Sequence, residues 1–337
     1  MKKKLLCGVM VLSIMALSIL LIITGRGSNK NQSSINDNSN SNSSSTASST
    51  ASSTSEYPEL SAVLSEVESK YKQETFKGSK TGKTIEYNIY LPDNYDSSKK
   101  YPLLVFIADS SLVGRGTTAS LEQGYGGVIW ATSEDQSKHE AIVVVPVYDE
   151  VIIDDMHSYT TTDYLDATKN LIDNLSTKYS VDTNRIYGTG QSMGGMTMLY
   201  LASKYPDLFA AELFVSCQWR MEELQNLDSQ TFFYVVAGGD QKASAGQKEV
   251  LEYLQGKSIS VSTLSDVDAT LSNQEFTTKI SDMLKDKNKI NMITFKSGTV
   301  LSSSSNSKGM GSSEHMSSFN YAYRISAIRD WLFEQSK

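Results

Sequence analysis

Cysteine is scarce in this chain of 337 residues: the two present are Cys7, inside an N-terminal apolar run, and Cys217. No disulfide can form within a domain that holds only one of them, so the folded part must be stable through its core alone. A single thiol following an apolar strand reads as packing rather than as a nucleophile. Histidine is nearly as rare, and His139, His157 and His315 lie far apart in the sequence. With no H-E-x-x-H string either, no metal site is expected, and no organic cofactor is implied. Basic residues form no block beyond Lys2, Lys3 and Lys4, and the net charge is −7, which argues against a nucleic-acid partner. There is no internal repeat.

The three lysines precede an apolar run of 19 residues from Leu5 to Ile23, about enough to cross a bilayer. Residues 1–26 are therefore expected to be a signal peptide or an N-terminal membrane anchor. Positive charge ahead of the run keeps the N-terminus inside. The rest of the chain is then expected on the extracellular face of the cytoplasmic membrane, or secreted, with membrane contact only through the N-terminal segment. Residues 27–56 are almost entirely Ser, Asn, Thr and Ala. Such a segment buries too little apolar surface to offset the entropy of ordering it, and it reads as a disordered linker. Residues 57–337 remain for one domain.

Within that domain strands alternate with helices. Tyr57 to Lys72 reads as a leading helix, and Thr84 to Leu91 alternates as a half-buried strand does. Leu103–Ile107 and Ala141–Val145 are continuously apolar, as strands buried on both faces of a parallel sheet are. A helical stripe between Thr162 and Tyr179 carries Leu165, Leu171 and Leu175. Further apolar runs cover Ala211–Val215, Phe232–Val236 and Ile290–Phe295, with a weaker strand at Ile259–Leu264 and a helix near Gln274–Leu284. A final helix is expected over Phe319–Phe333. The pattern implies an α/β fold, a mainly parallel central sheet of about eight strands with helices on both faces, and active loops at the carboxyl ends of the strands.

Gly190-Gln191-Ser192-Met193-Gly194, followed by Gly195, has the G-x-S-x-G form of a nucleophile elbow. Its flanks are the required ones. Arg185–Thr189 reads as a short buried strand after the turn formers Asp182, Thr183 and Asn184, and Gly195–Tyr205 has helical spacing up to Pro206.

A serine hydroxyl is a weak nucleophile at neutral pH, so Ser192 requires a base, usually a histidine oriented by a carboxylate. In the α/β-hydrolase order the acid and then the histidine follow the serine. His139 and His157 precede Ser192, which leaves His315, in a Ser/Gly-rich loop ahead of the final helix. Asp240 stands where Phe232–Ala237 runs out into Gly238-Gly239, with Asp266 and Asp268 as rivals after the weaker strand. Met193 N–H supplies one oxyanion donor, and the second is expected from Asp109 or Ser110, after the strand ending at Ile107. Gln191, Trp219 and Trp130 are candidate walls of a substrate pocket.

Gly190–Gly195, the Tyr205–Ala211 string and the ending Ile328–Phe333 together resemble bacterial extracellular α/β-hydrolases of the peptidase and carboxylesterase group. That group is related to polyhydroxybutyrate depolymerases and feruloyl esterases. The resemblance covers most of Ile85 to Phe333 and implies a Ser-Asp-His mechanism on Ser192, Asp240 and His315. It implies hydrolysis of carboxylic esters, small or polymeric, through an acyl-enzyme. The same residues leave a serine peptidase of this fold open, and beyond it a cell-surface binding module without catalysis.

Overall fold

A computed structural model describes residues 57–156, 158–301 and 313–337. The expectations for residues 1–26 and 27–56, and for His157, lie outside the described residues. Among the described residues no helix is long and apolar enough to cross a membrane.

The domain opens with α1 (Leu60–Val67), then β1 (Lys72–Lys77), β2 (Thr84–Tyr90) and β3 (Tyr101–Ile107). Two short helices, α2 (Ala119–Glu122) and α3 (Ser133–Lys138), lead to β4 (Ile142–Val147) and to a small hairpin of β5 (Ile153–Asp154) and β6 (Thr160–Thr161). Then come α4 (Tyr164–Lys178), β7 (Val181–Gln191), α5 (Met193–Lys204), β8 (Ala211–Val215), β9 (Phe232–Ala237) and α6 (Gln241–Gly256). The chain finishes with β10 (Val261–Val267), α7 (Asn273–Met283), β11 (Ile290–Phe295), α8 (Glu314–Arg324) and α9 (Ser326–Phe333).

Among the described residues nine strands form one sheet in the order β1-β2-β4-β3-β7-β8-β9-β11-β10. All neighbours from β4 to β10 run parallel, and β1/β2 and β2/β4 are antiparallel. The central strands are apolar on both faces because both are covered. Leu103, Val105, Ile107, Ile142 and Val144 face a core shared with α4, α5 and α6. Leu104, Phe106, Val143 and Val145 face the opposite core, shared with α1, α7, α8 and α9. On that second face the buried Arg329 guanidinium meets the buried Asp135 carboxylate through two bonds of 2.6 and 2.9 Å.

Several expectations need correction. The leading helix is only α1, and the chain then forms β1. Its residues are mostly polar and exposed because it is an edge strand, where charged side chains discourage further pairing. With it the sheet has nine strands among the described residues, close to the expected eight. Asp182, Thr183 and Asn184 do not precede the elbow strand but lie inside β7. Tyr101 pairs with Val181 and Leu103 already with Ile186, so the turn formers bulge out of the ladder. The final helix begins earlier and is broken: α8 starts at Glu314 under a Ser313 cap that accepts from Met316 N–H, and Ile325 in extended conformation separates it from α9. His315 accordingly sits in the first turn of a helix, not in a loop ahead of one.

Candidate active site

The loops that build the site follow the carboxyl ends of β3, β4, β7, β8, β9 and β11, parallel strands that end on one side of the sheet. At the end of β7, Ser192 takes φ +51° and ψ −118°, a conformation that costs a residue with a side chain. Its N–H donates to Val215 O at 3.0 Å and its carbonyl accepts from Met196 N–H at 2.8 Å, so the turn is held by both β8 and α5. Gly194 is required because a Cβ there would overlap the Ile107 carbonyl of β3. The glycine lets the start of α5 press against β3, and the serine stands at the helix N-terminus.

Ser192 Oγ lies 2.9 Å from His315 Nε2, and His315 Nδ1 lies 2.6 Å from Asp240 Oδ2. Three residues separated by up to 123 positions thus form one hydrogen-bonded line. Asp240 also caps α6, its Oδ1 accepting from Ala243 N–H at 3.2 Å. It is a helix cap and a histidine partner at once, one oxygen for each, and the side chain is 7% exposed. Asp266 is exposed and Asp268 is taken up by Thr270, so neither rival reaches His315. His139 lies in another part of the domain, bonded to Asp330 at 2.8 Å and stacked on Phe333.

The first turn of α8 is fixed from two directions. Ser318 Oγ donates to His315 O at 2.7 Å and meets Ser216 Oγ at the end of β8 at 2.5 Å. Glu314 accepts from Gly239 N–H, Ser297 Oγ–H and Gly298 N–H at 3.0, 2.9 and 3.0 Å.

Beyond β3, Asp109 caps a short 3-10 turn over Ser110–Leu112, its Oδ1 accepting from Ser111 N–H at 2.8 Å. Its other oxygen accepts from Gln123 and from Gln191, and Gln191 Nε2 also donates to Gln123 Oε1 at 2.8 Å. Gln191 and Asp109 therefore link the strand end before Ser192 to the loop that faces it. As the first residue of α5, Met193 keeps an N–H that the helix ladder does not use. Asp109, Ser110, Ser192, Met193 and His315 share the lining of one cavity of about 560 Å³.

The apolar wall of that cavity consists of Val151, Ile153, Met156, Met193, Met196 and Met316. Val151 and Met156, 39% and 72% exposed, are the large apolar side chains most open to solvent among the described residues. The walls expected from the sequence, Trp130, Trp219 and Gln191, lie elsewhere. Trp130 is buried in the core on the opposite face and donates to Gly126 O; Trp219 is buried against Tyr159 and donates to Glu223. Gln191 acts behind the site through Asp109 and Gln123. The hairpin of β5 and β6, too short for a period-2 signal, supplies the rim instead. It is tied down by Asp155, which pairs with Lys242 at 2.6 Å and accepts from Gln218. Glu314 and Gln123 also escaped the sequence reading, since single polar residues in loops and first turns carry no pattern.

Cys217 lines the cavity too, but it is 1% exposed, and burial pushes its thiol well above the ordinary range. Among the described residues no group of three or more His, Cys, Asp or Glu side chains could hold a metal ion.

A solved structure described as a thermostable esterase has 21% identity and a TM-score of 0.61, covering 80% of this chain and 64% of that one. At this identity the likeness is one of fold, and this chain spans less than two thirds of that protein's length. The feruloyl esterase module from Clostridium thermocellum has 15% identity and a TM-score of 0.48, covering 77% of this chain and 88% of that one. For the S-formylglutathione hydrolase from Staphylococcus aureus the values are 13% and 0.44, over 78% and 96%. A search of the curated proteins gives no match. Residues 78–239 match the family model described as "Putative esterase". That segment contains Ser192 and the Asp109–Ser110 loop and stops one residue before Asp240. With its large, mainly parallel sheet and helices on both faces, the chain has the α/β-hydrolase fold, and its residues 78–239 are similar to the family described as "Putative esterase".

Proposed function

We propose that the protein is a serine-dependent carboxylesterase. The observation that carries this reading is the line Ser192 Oγ, His315 Nε2, His315 Nδ1, Asp240 Oδ2, with spacings of 2.9 and 2.6 Å, opening into an apolar-walled cavity. Ser192 Oγ attacks the ester carbonyl carbon while its proton passes to His315 Nε2. Asp240 holds the ring through Nδ1–H and stabilises the imidazolium that forms. The oxyanion is received by Met193 N–H and by an N–H of Asp109 or Ser110. As the tetrahedral intermediate collapses, the carbonyl re-forms, the C–O bond to the alcohol breaks, and His315 returns the proton to the departing oxygen. Water, deprotonated by the same nitrogen, then cleaves the acyl-enzyme.

The cavity's character favours an uncharged, partly apolar substrate. Its wall is methionine-rich, and its carboxylates, Asp109, Asp154, Asp155 and Asp240, outnumber Lys242 and His315. The lysine-led apolar segment at the N-terminus supports an enzyme working outside the cytoplasmic membrane.

A fluorophosphonate probe tests the proposal. Labelling of the native protein and turnover of aryl and alkyl esters should both vanish in Ser192→Ala; turnover that survives this change sinks the mechanism. Peptide amides cleaved as fast as esters would move the reading to a peptidase.

A further inference from the structure

We propose that Glu314 is a positioning residue that sets the distance between His315 and Asp240. The inference rests on reading Ser192, His315 and Asp240 as a triad. Glu314 immediately precedes His315 in the chain, and Gly239 immediately precedes Asp240. The Glu314 carboxylate accepts from Gly239 N–H at 3.0 Å through Oε2, and from Ser297 Oγ–H at 2.9 Å and Gly298 N–H at 3.0 Å through Oε1. One side chain therefore joins three segments: the first turn of α8 that carries the base, the β9–α6 loop that carries the acid, and the loop after β11. Bonds from N–H and O–H groups to a carboxylate are roughly twice as strong as neutral ones, and three converge here.

The local sequence is built around this contact. A Cβ at Gly239 would collide with the Glu314 carboxylate where it sits, so a larger residue there would push that side chain out of the contact. The remaining support of His315 comes from the other side of the turn, through Ser318 and Ser216. That support holds the helix to β8, whereas Glu314 ties the same turn to the loop that leads into Asp240, an acid held on its other side by its cap of α6.

A carboxylate in the first turn of a helix also interacts favourably with the helix dipole, so the test must separate clamp from dipole. Glu314→Asp keeps the charge at the helix N-terminus and loses a methylene of reach. Glu314→Gln keeps the reach and one acceptor oxygen, which can still receive Gly239 N–H, while losing the charge and the second acceptor. The clamp predicts that kcat falls on the order of 10- to 100-fold in Glu314→Asp with KM nearly unchanged, and that Glu314→Gln retains more kcat than Glu314→Asp. It also predicts that the downfield Nδ1–H resonance of His315, followed with isotope-labelled histidine, weakens or moves upfield in the same order. Wild-type kcat in Glu314→Asp, the reverse order, or an unmoved resonance in both variants overturns the proposal. The two readings fail separately. A native protein inert to fluorophosphonate would remove the esterase reading, and the resonance would still decide whether Glu314 sets the His315–Asp240 contact.

Discussion

Asp240 gives one oxygen to the start of α6 and the other to His315, so the element that anchors the acid is the helix it caps. Replacing the side chain by an amide keeps the shape and the cap but spoils the acceptor for Nδ1–H, favouring the wrong tautomer of the ring. Asp240→Asn should lower kcat by about 10³- to 10⁴-fold with little change in melting temperature. Ester turnover and a thermal melt of the same preparation check both halves. A folded variant with near-native turnover would remove Asp240 from the triad.

Cys217 borders the same cavity, yet burial holds its thiol in the protonated, unreactive form. Iodoacetamide should leave ester turnover by the native protein unchanged over a time that alkylates an exposed cysteine completely. Loss of activity in step with alkylation would show that the thiol is far more accessible than its burial implies.

The surplus of carboxylates around Ser192 should be visible in substrate choice. An ester carrying a carboxylate on its acyl chain should be turned over more slowly than its neutral isostere. Asp154, half-buried on the rim, accepts only from Met156 N–H among the bonds described. Asp154→Asn should narrow the gap in kcat/KM about 2- to 5-fold, the range expected for a solvent-screened charge. An unchanged ratio would remove Asp154 from substrate discrimination.

The Arg329–Asp135 pair is 5% and 4% exposed, and Arg329 Nη1 also donates to Tyr323 O at 2.8 Å. Removing one partner strands the other charge in the core. Arg329→Ala should lower the unfolding free energy by about 3–5 kcal/mol, read from urea unfolding, while Arg329→Met combined with Asp135→Leu should cost much less. Equal losses in both would show that packing, not the stranded charge, sets the cost.

Much of this site could be read in the sequence, and its limits have physical causes. Ser192 was legible because an elbow needs small residues at fixed offsets, and His315 because few histidines compete with it. Asp240 was legible because a buried strand ends just before it. The strands buried on both faces, β3, β4, β8, β9 and β11, announce themselves by their mostly apolar composition. The edge strand β1 does not, since its pairing is made by backbone groups that every residue carries. Trp130 and Trp219 are not legible as core residues because a large aromatic is buried either in a core or in a pocket, and the sequence does not distinguish the two. Val151 to Met156 stayed hidden because the cavity wall is set by where a two-residue hairpin folds back.

Glu212 on β8 is fully buried, its Oε1 has no hydrogen-bond partner, and burial raises its pKa well above the ordinary 4.5. The unfolded chain gives up this proton at lower pH than the folded one does. Its contribution to stability is therefore complete below the ordinary carboxylate range and is lost as pH climbs toward the raised folded value. Glu212→Gln should flatten the fall of unfolding free energy as pH rises above the ordinary carboxylate range, by up to about 1.4 kcal/mol per pH unit. Parallel curves for variant and wild type would show that Glu212 is not the group responsible.

The left-handed backbone of Ser192 has a consequence for how the protein divides stability from activity. The residue that would do the chemistry holds a conformation suited to glycine, so the fold is weaker than it could be at the position where it acts. Ser192→Gly should melt above Ser192→Ala, because glycine accepts φ +51° without penalty while alanine keeps the strain. The elbow is then a compressed spring whose load the surrounding strands carry, and a protein freed of that load would be sturdier and inert.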